Sequence, residues 1–167
     1  MKSTRSRTAS STPDVGQGVR GVGGHPAYLL RQAAAAVRSA LDERFGEFGI
    51  THPQFVVLIA LKSCPGASGA ELARLSLLTP QTITVITRNL ERATLIRRGA
   101  GSDQGRRVPY ELTRKGLETL AACNRVADDV EQTMQQELSP QEALVVKKWL
   151  VHVAKSLFTP EEQHGET

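Results

Sequence analysis

Residues 68–98 read SGAELARLSLLTPQTITVITRNLERATLIRR, and their spacing decides the fold. Ser68 and Glu71 form an S-x-x-E pattern in which each side chain can satisfy the other's free backbone N–H. The short helix they open carries Leu72, Leu75 and Leu77. Thr79 as cap and Pro80 as first helical residue then open a second helix, with Ile83, Ile86 and Leu90 on its buried stripe. Two short helices joined by a tight turn predict a helix-turn-helix. With those three residues inward at 100° per residue, Gln81, Thr84, Val85, Arg88 and Arg92 fall on the opposite face. Glutamine pairs with adenine edges, threonine bonds a base or sets its methyl against thymine, and arginine suits guanine or phosphate. Short polar readers first and cations later is the layout of a recognition helix entering a major groove N-terminus first.

Outward from this core the pattern continues. After Leu95 the period changes. Ile96-Arg97-Arg98 leads into a Gly/Asp-rich loop and out through Arg106-Arg107-Val108-Pro109-Tyr110-Glu111-Leu112, which predicts a β-hairpin. Pro109 restricts its second run to an edge position, as in a small exposed wing. Upstream, Pro26 starts a helix over roughly 26–48 through Leu30, Ala33, Val37, Leu41 and Phe48, and Gly49 stops it. Thr51 caps the next helix, with Phe55, Leu58, Ile59 and Leu61 on one side, until Pro65-Gly66 breaks it. Downstream, Thr113 caps a helix of about 114–137 striped by Leu117, Leu120, Ala127, Val130 and Met134. Ser139 and Glu142 repeat the S-x-x-E box and open a helix of about 140–157 through Leu144, Val146, Leu150, Val153 and Leu157. Val145, Trp149 and Val151 widen that last stripe, so the helix is expected to be buried on more than one side, with a second subunit as the partner. Order is expected to begin near Pro26, because residues 1–24 are rich in Ser, Thr, Gly and Arg without apolar periodicity.

Composition narrows the classes. The 167 residues hold 21 Lys+Arg against 17 Asp+Glu, for a formal charge of +4. Residues 52–116 carry ten basic side chains against Glu71, Glu91, Asp103 and Glu111, whereas residues 117–167 carry four basic against nine acidic. A basic middle on an acidic scaffold points to a polyanion-facing unit. There is no apolar run long enough to span a membrane, and the N-terminus has no apolar core of a secretory signal. Cys64 and Cys123 make no disulfide framework, so a cytoplasmic protein is expected. His25, His52, His152 and His164 lie on separate elements without metal-ligand spacing. No nucleophile elbow, phosphate-binding loop or dinucleotide fingerprint occurs. The expectation is no enzyme, no cofactor and no metal.

The strings THPQFVVLIAL (51–61), PGASGAELARL (65–75), TPQTITVITRNLERATLIRR (79–98) and SDQGRRVPYELTRKG (102–116) occur in an order and at distances that resemble the MarR family of winged-helix regulators, over roughly residues 28–157. The resemblance implies an all-α fold with a small β-hairpin wing, a winged helix-turn-helix with a helical dimerisation region. It divides the chain into a flexible basic arm (1–24), a dimerisation helix (25–50), a DNA-binding lobe (51–113), C-terminal dimerisation helices (114–158) and a tail (159–167). It implies a homodimer on a pseudo-palindromic double-stranded operator, most often as a repressor, released by a small effector that is often an aromatic anion. The expected DNA-binding residues are then Gln81, Thr82, Thr84, Arg88 and Arg92 of the recognition helix, Ser68 and Thr79 at the caps beside it, and Arg97, Arg98, Asp103, Arg106 and Arg107 of the wing. Arg31, Arg38 and His52 are the candidates for an effector carboxylate.

Two departures stand out. Thr94 occupies the place where the family has glycine, so the recognition helix is expected to end differently, since a left-handed threonine costs about a kcal/mol. The wing's D-x-R is stretched to Asp103-Gln104-Gly105-Arg106, which loosens the usual pinning of the wing arginine. Two other readings stay open: a thiol-oxidation sensor using Cys64 or Cys123, and a protein-interaction module that does not bind DNA.

Overall fold

The computed structural model describes residues 13–99 and 109–157. In chain order these form α1 (Pro26–Phe45), α2 (His52–Ser63), α3 (Gly69–Ser76), α4 (Pro80–Arg92), the strands β1 (Ile96–Arg98) and β2 (Tyr110–Leu112), α5 (Arg114–Gln135) and α6 (Pro140–Leu157). The strands pair antiparallel, with Ile96 opposite Leu112 and Arg98 opposite Tyr110. The chain divides into two compact units, one ending at Val126 and the other starting at Ala127. No described helix is long and apolar enough to cross a membrane.

Helix starts follow the predicted caps. Glu71 Oε2 accepts from the Ser68 N–H at 2.8 Å and from its hydroxyl at 2.6 Å. Glu142 does the same for Ser139 at 2.8 and 2.6 Å, and these bonds hold its carboxyl below the ordinary carboxylate range. Gln54 Oε1 accepts the Thr51 N–H at 2.9 Å. Helix ends share a second geometry. A left-handed residue turns the chain, and the next N–H reaches back to a carbonyl in the last turn. Gly49 (φ 68°) does this before Ile50, whose N–H meets the Phe45 carbonyl at 3.3 Å. Leu77 (φ 53°) does it before Leu78, which reaches Ala73 at 3.0 Å, and Thr94 (φ 60°) before Leu95, which reaches Leu90 at 2.9 Å. α4 therefore ends in the ordinary left-handed way with threonine in glycine's place, contrary to expectation. Neighbours hold Thr94 there: its carbonyl accepts from the Thr113 hydroxyl at 2.7 Å, and Lys115 Nζ donates to the Ala93 carbonyl at 2.9 Å.

The core of the first unit centres on α2, which touches α1, α3, α4 and β2. Phe45 and Phe55 pack with ring centroids 4.6 Å apart, and Val57, Leu58, Leu72 and Leu120 are fully enclosed. Because α2 is surrounded, its buried set is wider than one stripe. Phe55, Leu58 and Leu61 are buried as predicted, Val57 and Ala60 join them, and Ile59 is exposed against the prediction. On α3 the buried residues are Leu72, Ala73 and Ser76, whereas Leu75 and Leu77 face out. Leu117 and Met134 of α5 are exposed, while Leu120, Cys123 and Val130 are buried. Structure also begins earlier than Pro26. Gly18–Arg20 forms a 3₁₀ turn, and Arg20 Nε donates to Gln32 Oε1 at 2.9 Å, which ties this part of the basic arm to α1. In the second unit, α6 buries none of its residues: Leu144, Val145, Val146, Trp149, Leu150, Val151 and Leu157 are all exposed.

Candidate nucleic-acid interface

Seating of α4 comes first. Ile83, Ile86, Thr87 and Leu90 are buried along one side of the helix, and α4 rests on α2, α3 and β1. That leaves Gln81, Thr84, Val85, Arg88 and Arg92 exposed on the other side, as the spacing predicts, with Thr82 exposed beside them. Thr87 was outside the predicted stripe. It is buried because its hydroxyl donates to the Ile83 carbonyl at 2.9 Å, so the helix satisfies its own polar group.

The N-terminal turn of α4 is organised by hydroxyls. Thr79 Oγ1 accepts the Thr82 N–H at 3.2 Å and shares a 2.8 Å hydrogen bond with the Thr82 hydroxyl. The Thr84 hydroxyl donates to the Pro80 carbonyl at 2.9 Å. Arg88 has no ion-pair partner among the described residues, so its guanidinium is free for an external anion. Arg92 lies one turn further on, 3.5 Å from Asn89 Oδ1. Ser68 is not part of this face. It is buried, and its hydroxyl caps α3 and donates to Glu71.

At the base of the hairpin both arginines are paired. Arg97 meets Glu111, its cross-strand neighbour, at 2.6 Å, and Arg98 meets Glu91 of α4 at 2.9 Å. The Glu91 contact holds the Arg98 guanidinium even more firmly protonated than usual. The two pairs cancel charge that a bare count assigns to this surface; Arg97–Glu111 ties the two strands together, and Arg98–Glu91 joins the hairpin to α4. Asp103, Arg106 and Arg107 lie outside the described residues.

The three candidates for an effector carboxylate divide. Arg38 and His52 come together around Asp42, whose Oδ1 accepts the His52 backbone N–H at 2.7 Å and whose Oδ2 lies 3.6 Å from Arg38 Nε. A ligand carboxylate would have to displace that carboxylate from Arg38. Burial pushes the His52 pKa below its ordinary value, with Asp42 opposing and Arg38 adding to the shift, so the ring is neutral near pH 7. Arg31 is exposed two turns before Arg38 on α1. Sequence reasoning missed a shallow hollow of about 270 Å³ behind α4, lined by Ile50, Gln54, Asn89, Leu90, Arg92 and Leu95. No spacing signals it, because it forms only where α2 packs beside α4. The cysteines also divide. Burial raises the Cys123 pKa and keeps it a thiol, whereas Cys64 at the end of α2 is exposed.

A helix-turn-helix with a braced hairpin and an outward row of glutamine, threonine and arginine defines a winged helix-turn-helix protein. The MarR family model matches residues 50–108. The HTH-type transcriptional repressor Rv2887 of Mycobacterium tuberculosis is 39% identical over 89 residues, which is 53% of this chain and 64% of the repressor, so the match covers less than two thirds of that relative. The crystal structure of Rv2887 in complex with salicylic acid superposes with a TM-score of 0.63 at 30% identity, over 78% of this chain and 96% of that one. The Staphylococcus aureus MepR–DNA complex superposes with a TM-score of 0.72 at 28% identity, over 80% and 97%. The chain belongs to the MarR family.

Proposed function

We propose that the chain is a sequence-specific transcriptional repressor that binds a pseudo-palindromic DNA operator as a homodimer and is released by a small aromatic anion. The observation that carries this reading is the outer face of α4, where Gln81, Thr84 and Arg88 stand exposed on a helix whose opposite side is fully seated. Support comes from relatives: one is a repressor, and the solved structures include a complex with DNA and one with salicylic acid. A second subunit is the natural cover for α6, whose large apolar residues other than Val153 are exposed in the single chain. Catalysis has no part in this reading.

Mechanistically, α4 enters the major groove, the wing arginines Arg97, Arg98, Arg106 and Arg107 contact the backbone and minor groove with Asp103 orienting an arginine, and the basic arm adds phosphate contacts. Two recognition helices must match half-sites about one turn, ~34 Å, apart. An effector releases DNA only if it binds better to a dimer with the wrong spacing. Arg31, Arg38 and His52 remain the proposed carboxylate contacts, with Asp42 as the competitor.

The test compares binding to random duplex with binding to a fragment from just upstream of the protein's own coding region, across a salt series. The reading expects tight upstream binding, a clear margin over random DNA and loss of binding on adding salicylate. Equal weak binding to both duplexes overturns it and favours a protein-interaction module.

A further inference from the structure

One residue in the outermost row of α4 is neither a hydrogen-bonding reader nor a cation. Val85 is 56% exposed. With Ile83, Ile86, Thr87 and Leu90 marking the inward side, it stands on the ridge farthest from the core, one turn after Gln81 and three residues before Arg88. Valine is a poorer helix former than the straight-chain residues that suit a solvent-facing position, because its branched side chain loses rotamer freedom there. It also contributes nothing to the core from that side.

Thr84, beside it, is less polar than its sequence suggests. Its hydroxyl hydrogen goes to the Pro80 carbonyl at 2.9 Å, so it has none to offer a base. What remains is a methyl group and an acceptor oxygen. Along the outermost row between the Gln81 amide and the Arg88 guanidinium, α4 therefore presents the methyl groups of Thr84 and Val85, while the Thr82 hydroxyl sits on the flank against Thr79. In a major groove, the base-edge group that such a surface complements is the C5-methyl of thymine. A guanine edge there would exchange water for an apolar contact and leave its N7 and O6 acceptors unpaired.

We infer that Val85, assisted by Thr84, is a specificity-determining residue that reads a thymine methyl in each half-site. The thymine lies between the base facing Gln81 and the guanine or phosphate facing Arg88. This inference rests on the DNA-binding reading above and extends it to operator chemistry.

The experiment begins by selecting duplexes from a random pool with the full-length protein, then replaces each half-site thymine in turn by uracil, which removes only the C5-methyl. Wild type should lose about fourfold in affinity at one thymine per half-site. Val85→Ala should lose most of the preference for thymine over uracil, with a thermal midpoint no lower than wild type because the side chain is exposed and alanine is the better helix former. Selection of no sequence over the random background sinks the DNA-binding reading itself, and the inference with it. Selection of a defined half-site overturns only the inference if that site lacks thymine, if uracil costs wild type nothing, or if Val85→Ala keeps the same preference for thymine.

Discussion

Thr94 shows how a single residue can violate a local preference and still be held. Its left-handed backbone costs a β-branched residue about 1–2 kcal/mol, and hydrogen bonds from Thr113 and Lys115 to the surrounding carbonyls keep it in place. Thr94→Gly is expected to relieve that strain. Part of the gain returns to the unfolded chain as entropy, which leaves a net stabilisation of up to about 1 kcal/mol, or about 2–4 °C in a thermal melt. His52 gives a prediction of opposite character. Its folded pKa lies below the ordinary 6.5, so around and just below that pH the unfolded chain binds more protons than the folded one. Stability therefore rises with pH through this window and is lost on acidification. Urea midpoints measured between about pH 5.5 and 7.5 should show that slope in wild type and a flatter one in His52→Gln.

At the scale of the element, the two helices of the helix-turn-helix divide the labour. The box at the start of α3 is structural, since both groups of Ser68 are bound by Glu71. Ser68→Ala should cost about 1 kcal/mol of stability and leave the salt dependence of DNA binding unchanged. Arg88→Ala should do the reverse. Its side chain is exposed and without an ion-pair partner among the described residues, so the melt should not move. The slope of log affinity against log salt should become shallower by about one for each phosphate that the protein no longer neutralises. A stability loss without a slope change in Arg88→Ala would place that arginine in the scaffold. The hairpin is a third case. Arg97 and Arg98 are already paired with Glu111 and Glu91, so each must exchange a carboxylate for a phosphate on binding. Exposed pairs of this kind are weak, about 0–1 kcal/mol, and that exchange is easy.

At the scale of the whole molecule, the proposed second subunit gives α6 its cover. A helix with Val145, Trp149, Leu150 and Val151 all in water is a poor end state, and association with a second copy removes that area from solvent. Trp149→Glu should shift the protein towards monomer in sedimentation equilibrium. It should also weaken binding to a two-half-site duplex by about tenfold or more, because linked half-site contacts become independent. The first unit, which contains the helix-turn-helix, should keep its far-UV signature. A Trp149→Glu protein that remains dimeric with full affinity would show that α6 faces another partner.

Elements with a local cause were readable from the chain alone. The Ser68–Glu71 and Ser139–Glu142 boxes, the Thr79-Pro80 start and the stop at Gly49 place helix boundaries because caps and turns involve residues three to five apart. The outward row of α4 was readable for the same reason, since three buried aliphatics at helical spacing assign the opposite face. Burial on surrounded elements was not. Val57 is buried and Ile59 exposed because α2 is covered on several sides, and no periodicity in α2 says where α3, α4 and β2 will rest. The Asp42 carboxylate between Arg38 and His52, the glutamates neutralising Arg97 and Arg98, and the left-handed Thr94 are likewise decided by tertiary structure. Each depends on which residue of another element arrives alongside, a meeting of positions too far apart in sequence for local spacing to encode.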